Sequence, residues 1–256
     1  MNETEKVVAP ARPVWTTLLG LTALVMMGGV AVLGLFVNRP DINQRDYGRL
    51  IYIHPAVANT MYIAVGVAFV SGLLWLVPRT RSPFWDHVMG AATELATLFC
   101  MFTLATGAIW GKPVWGAWWV WDPRLTTTAI LLVLLLGVLA LRQAPATLEA
   151  RARRSIVALG VAVANVPIVH FSVTWWRSQH QAPSLLDAKK LLDPEVHGLQ
   201  LFTTLMSFLA FALTFAWLVV LRTRVSRWET DTAAGGLDVA IAARRAEAAR
   251  VPMGAS

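Results

Sequence analysis

Six long apolar runs constrain this chain more than anything else in it: Trp15–Val37, Ile51–Val77, Val88–Trp110, Leu125–Leu141, Ile156–Trp176 and Leu199–Leu221. A bilayer core about 30 Å thick needs roughly 20 apolar helical residues per crossing. Inside hydrocarbon the backbone must satisfy its own hydrogen bonds, which a helix does. The runs therefore predict an all-α, polytopic membrane protein with six transmembrane helices. With 56% hydrophobic and 14% charged residues, the composition leaves no sizeable soluble domain. Residues 1–227 read as one six-span bundle. Residues 228–256, rich in Ala and Arg with Gly235-Gly236 and Pro252, read as a flexible tail, at most a frayed helix. The first run is too long for a signal-peptide core, and Asn38-Arg39-Pro40-Asp41 after it is not a small-residue cleavage site, so it is expected to be a retained span.

An even number of spans puts both termini on one side. Lys and Arg number 14 in the N-terminus, the 78–87 loop, the 142–155 loop and the tail, against 8 in the other three loops. Arg151, Arg153, Arg154 and Arg222, Arg224, Arg227 lie directly beside spans, where the positive-inside bias counts most. Both termini are therefore expected in the cytoplasm, and loops 38–50, 111–124 and 177–198 face outward. The net charge of +7 is then a topology signal that implies anionic lipid, and no nucleic acid, as its partner. The single cysteine, Cys100, lies in the third run, which excludes a disulfide framework and a Cys-x-x-Cys redox pair. Gly107 to Lys112 has one residue too few between its glycines for a phosphate loop, and Pro113 stands where a magnesium-binding Ser or Thr belongs.

Five of the chain's 12 tryptophans fall in residues 110–126, the gap between the third and fourth runs. Each indole has a large apolar face, so such a cluster wants either a membrane interface or a large flat ligand. Trp115, Trp118 and Trp119 stand at i, i+3, i+4, as on one face of an interfacial helix. Belt tryptophans, however, are usually spread over several span ends, whereas these are concentrated in one loop. Asp122-Pro123 reads as an N-cap followed by proline in the first turn, opening the fourth span.

Two histidines frame that loop on the same side. His54, before Pro55, sits where the first outward loop enters the second span, and His180 lies just past the fifth. A histidine at a helix end is commonly a cap or an interfacial hydrogen-bonder. Two of them beside an aromatic platform also match what axial ligation of a haem iron requires, one nitrogen from each face of the ring. Arg124, Lys112, Arg49 and Arg177 share the layer and suit the propionates. His170, two turns inside the fifth span, reads as a bundle histidine bonded to a neighbouring helix. Glu94 is an intramembrane carboxylate within reach of Arg81 or water, and His87 and His197 have no evident partner.

The run Trp115-Gly116-Ala117-Trp118-Trp119-Val120-Trp121-Asp122-Pro123-Arg124-Leu125-Thr126 resembles the tryptophan-rich signature of the haem-handling proteins of cytochrome c maturation. Within that group the chain is most similar to the haem exporter protein C (CcmC) family. The likeness extends to Ile51-Tyr52-Ile53-His54, to the stretch from Asn165 to Trp176 and to the six-span length. The larger haem lyase relatives (CcmF) share the motif but have many more spans. Pro123, where a small residue is usual, and the register of Pro55 beside His54 depart from the family pattern.

The resemblance implies a bacterial inner-membrane protein that binds haem b non-covalently at the periplasmic face. His54 and His180 would be the axial ligands, and Trp115, Trp118, Trp119, Trp121 and Arg124 would line the site. It also implies delivery to the haem chaperone CcmE within an ABC-type complex with CcmA, CcmB and the small subunit CcmD. Handover needs no nucleophile and none is evident, so an enzyme is not expected. Two rival readings remain at this stage. An electron-transfer cytochrome would normally ligate inside a span, where only His170 is suitably placed. A permease would need more polar groups along its spans than Glu94, Asn165, His170 and a few hydroxyls supply.

Overall fold

Helix boundaries in this protein follow from a few capping residues. The computed structural model describes residues 13–144, 146–181 and 197–250. Ser82 accepts a hydrogen bond from the Phe84 N–H, Asp122 from that of Arg124 and Thr147 from that of Ala150, each opening a helix. In two of these, Pro83 and Pro123 occupy the first turn, where the missing N–H would have had no partner. The helices are α1 (Val14–Val32, extended by a π-helical turn over Leu33–Val37), α2 (His54–Leu76, preceded by a 3-10 segment over Asp46–Tyr52), α3 (Pro83–Trp115), α4 (Pro123–Gln143), α5 (Leu148–Trp175) and α6 (Gly198–Arg250). Six helices are long and apolar enough to cross a membrane, as the six runs predict, and there is no strand among the described residues.

Two boundaries differ from expectation in ways that matter. Helix α3 continues past Trp110, through Pro113, to Trp115, so the gap predicted over 110–126 narrows to residues 116–122. It ends because Gly116 takes φ 76, the left-handed conformation that favours glycine, and the Lys112 ammonium donates to the Gly116 carbonyl at 2.8 Å. Residues 116–122 are not helical, so Trp115, Trp118 and Trp119 do not form the single helical face that their spacing suggests. At the other end of the chain α6 is helical to Arg250, about 80 Å at 1.5 Å per residue, where a tail frayed from residue 228 was expected. Ala, Glu and Arg dominate residues 240–250 and are strong helix formers, which outweighs Gly235-Gly236.

The core lies along α3, whose most apolar window is 67% buried against 22% for α1. Val57, Met61, Ala64, Val65 and Ala68 of α2 meet Met89, Ala92, Leu95, Ala96, Phe99 and Cys100 of α3. Leu131, Leu135 and Val138 of α4 and Ile156, Leu159 and Ala162 of α5 complete the cluster. Helix α1 packs on α6, with Gly20 against Trp217 and Gly29 against Met206. Because successive helices alternate in direction, the start of α2, the end of α3, the start of α4 and the end of α5 share one end of the bundle, the tryptophan end.

The opposite end is fastened by ion pairs. The Asp86 carboxylate of α3, fully buried, meets Arg142 of α4 at 3.0 Å and Arg151 of α5 at 2.5 Å. Glu94 pairs with Arg222 of α6 at 2.6 Å and not with Arg81, which lies over Trp75. His87 has a partner that the sequence did not suggest, the Ser226 hydroxyl at 2.9 Å.

Candidate functional site

His54 begins α2, and its imidazole is turned toward the last turns of α3. Its Nδ1 lies 3.0 Å from the Thr106 hydroxyl, and its ring meets Trp110 edge-on with centroids 5.9 Å apart. Gly107 gives the ring its space: a Cβ there would stand 3.1 Å from His54 Cε1. Trp110 is anchored in turn by its indole N–H, which donates to Gln44 Oε1 at 2.6 Å. Thr106 and Trp110, like Gly107 and Gly111, are four apart and so share a helix face.

His180 stands beyond α5, held by Asp122 at the start of α4. Its Nδ1 is 3.0 Å from Asp122 Oδ1. Oδ2 of the same carboxylate accepts from the Ser178 hydroxyl and the Gln179 N–H, both at 2.7 Å. The Trp115 ring lies 4.7 Å from that of His180, edge to face, and reaches it by folding back over Gly111, where a Cβ would be 2.8 Å away. Asp122 thus caps α4 as the sequence predicts and also fixes the 178–180 segment, a link between residues 56 to 58 positions apart that no local pattern reveals.

The two imidazoles lie within electrostatic range of each other and of Arg124. The Arg124 guanidinium donates to the His170 carbonyl at 3.1 Å, while its Nε is buried with no hydrogen-bond partner among the described residues. A buried cationic donor left without a partner is costly and suits an anionic ligand group. Burial pushes the His180 imidazole down; Asp122 opposes this and Arg124 adds to it, and the net value is below the ordinary 6.5. Burial alone would raise the Asp122 carboxyl, but the hydrogen bonds from Ser178, Gln179 and Arg124 and the charge of His180 hold it below 3.8. The contact with the Asp122 carboxylate, which can only accept, puts a proton on His180 Nδ1 and leaves Nε2 as the nitrogen turned away from it.

The other expected residues are distributed less evenly. Trp118, Trp119 and Trp121 are exposed, Trp121 at 83%, and Trp119 meets Trp121 edge-on at 5.8 Å. Lys112 caps α3 and lies 6.0 Å from the Trp118 ring. Arg49 is built into the connection between α1 and α2, donating to Asp46 and to the carbonyls of Gly34 and Asn38. Arg177 borders a groove of about 310 Å³ with Trp121, Asp122 and Ser178. His170 is packed edge-on to Tyr62 of α2 and to Phe171, an aromatic contact with the neighbouring helix in place of the hydrogen bond expected of it. Among the described residues no three His, Cys, Asp or Glu side chains are grouped to hold a bare metal ion. A ring that brings its own four donors needs only two.

Comparison with known proteins supplies the remaining step. The family model for CcmC, described as "Heme exporter protein C", matches residues 1–236. The chain belongs to the Heme exporter protein C family. It is 34% identical over 217 residues to the Heme exporter protein C of Haemophilus influenzae, covering 84% of this chain and 85% of that one. Identity to the Heme exporter protein C of Escherichia coli K12 is 33% over 211 residues, 80% and 81% of the two chains. A relative in Marchantia polymorpha, 32% identical over 193 residues and covering 75% and 79%, is named a cytochrome c biosynthesis ccmC-like mitochondrial protein. The CcmC family is one of haem-handling membrane proteins and not of catalysts.

Proposed function

We propose that this protein binds haem b non-covalently at the periplasmic face of the bacterial inner membrane and hands it to the haem chaperone CcmE. A general role in haem handling for cytochrome c biogenesis follows from family membership. The observation that carries the specific reading is the pair of imidazoles from α2 and the α5 exit, each with Nδ1 engaged by the protein. That engagement leaves Nε2 of His54 and of His180 as the metal-binding nitrogen, and a ligating histidine characteristically uses its other nitrogen in this way. When bound, haem supplies an iron with two free axial positions and two propionates.

The chain's own residues do the rest. Arg124, with its buried unpartnered Nε, takes a propionate, and Arg177 at the rim is placed to assist. Trp118, Trp119 and Trp121 offer the exposed apolar surface on which the ring edge rests. Trp115 lines the site chiefly by bracing His180. In this reading the ABC subunits CcmA and CcmB and the small subunit CcmD take part in loading the chaperone, and anionic lipid meets the arginines at the opposite end.

A reconstituted handover tests the proposal. Purified, haem-loaded protein in liposomes should transfer haem to added apo-chaperone, and the His54→Ala, His180→Ala double variant should not. Equal transfer from both would refute it.

A further inference from the structure

The two imidazoles have unlike supports. His180 faces a carboxylate whose side chain is 1% exposed. Asp122 Oδ1 also accepts from the Arg124 backbone N–H at 2.9 Å, and Oδ2 accepts from the Ser178 hydroxyl and the Gln179 N–H. These three donors are neutral, so they hold the carboxylate in place and leave its charge intact. His54 faces neutral oxygens, the Thr106 hydroxyl and the Thr103 backbone carbonyl. Thr106 has one proton, directed at the Phe102 carbonyl at 2.7 Å with the Thr103 carbonyl at 3.3 Å, so toward the imidazole at 3.0 Å its oxygen can only accept.

Both rings therefore carry the proton on Nδ1 and the lone pair on Nε2, but one N–H points at an anion and the other at a neutral oxygen. A carboxylate partner draws on the proton and raises the basicity of the far nitrogen, making it a better donor to a metal. A charged acceptor also makes a hydrogen bond roughly twice as strong as a neutral one. Placement outside a helix does not loosen His180, because Ser178, Gln179 and His180 are all tied to the same carboxylate.

We propose that the two ligands are unequal by construction: His180 is the strong, retained donor to the haem iron, His54 is the weak, exchangeable one, and Asp122 and Thr106 are the positioning residues that set the difference. This rests on the reading that both histidines ligate the iron. It gives the handover a direction, since a group from the acceptor can replace His54 while His180 keeps hold.

Resonance Raman spectra of the full-length, haem-loaded, reduced protein in detergent test it. His54→Gly leaves His180 on the iron and His180→Gly leaves His54. The iron–histidine stretch is expected at higher frequency in His54→Gly, and adding Asp122→Asn to that variant should lower it. Equal frequencies, or the reverse order, overturn the proposal. Carbon monoxide provides a second measurement that needs no ligand variant, because it displaces the weaker axial donor. The iron–carbonyl stretch of the otherwise intact protein should shift with Asp122→Asn and not with Thr106→Val; the opposite response overturns the proposal. If both glycine variants keep the six-coordinate spectrum of the wild type, the ligand assignment fails and the inequality falls with it.

Discussion

Asp122 does two things with one carboxylate, and only one of them is legible in its neighbours. The cap on α4 can be read from Asp-Pro, but the grip on His180 spans 58 positions and depends on how α4 and α5 meet. Asp122→Asn separates the two, since asparagine caps a helix about as well but cannot offer His180 a charge. Haem affinity should fall roughly 10–100-fold, as is typical when a ligand's outer partner is changed, with far-UV circular dichroism unchanged; loss of helix in parallel would contradict this. The lowered Asp122 value fixes the sign of its pH response. The contribution to stability is complete above 3.8 and is lost only as pH falls through the lower folded value, so the difference in melting temperature between wild type and Asp122→Ala should not shrink on this carboxyl's account until the pH falls below about 4. Gly107→Ala is a second residue-scale test. Alanine favours a helix by about 1 kcal/mol over glycine, yet its Cβ would stand 3.1 Å from His54. Thermal stability should hold or rise while haem affinity drops, and unchanged affinity would show that Gly107 does not shape the site.

At the scale of elements, hydropathy revealed all six helices and Asp122-Pro123 revealed the start of α4, because both are local properties of the chain, whereas the Ser82 and Thr147 caps start α3 and α5 several residues before their apolar runs. What local pattern could not reveal is where α3 stops. Trp115 looks like a loop residue by composition, but the chain takes its left-handed turn at Gly116 and not at Gly111, so the helix carries Trp115 on toward His180. Thr106, Gly107 and Gln44 went unnoticed for a related reason, since an ordinary residue becomes important only when a distant helix sets a histidine on it. The ion pairs at the opposite end were equally hidden and make a sharp prediction. Asp86→Ala leaves Arg142 and Arg151 with an uncompensated buried charge, a change that typically costs about 3–5 kcal/mol. The melting temperature should drop markedly, and a surface-like response would show that the cluster does not join α3, α4 and α5. Gly20→Leu should instead act locally, prising α1 from Trp217. A cysteine pair engineered across α1 and α6 should then cross-link poorly while haem binding by the remaining helices persists.

For the whole molecule, the fold arranges a division between its ends. Charge pairs fasten one end, and the other gathers imidazoles, indoles and a buried guanidinium with an open donor. Arginine placement predicts that the fastened end is cytoplasmic, so single cysteines in residues 116–122 should react with a membrane-impermeant reagent added to spheroplasts, and cysteines in the 78–82 turn should not. The central claim is that His54 and His180 together hold haem. The absorption spectrum of the reduced, haem-saturated protein tests it most directly, compared across wild type, His54→Ala, His180→Ala and His170→Ala. The account predicts a six-coordinate, low-spin spectrum in wild type and His170→Ala that is lost in each of the other two. Loss in His170→Ala, with the spectrum intact in His54→Ala and His180→Ala, would contradict it.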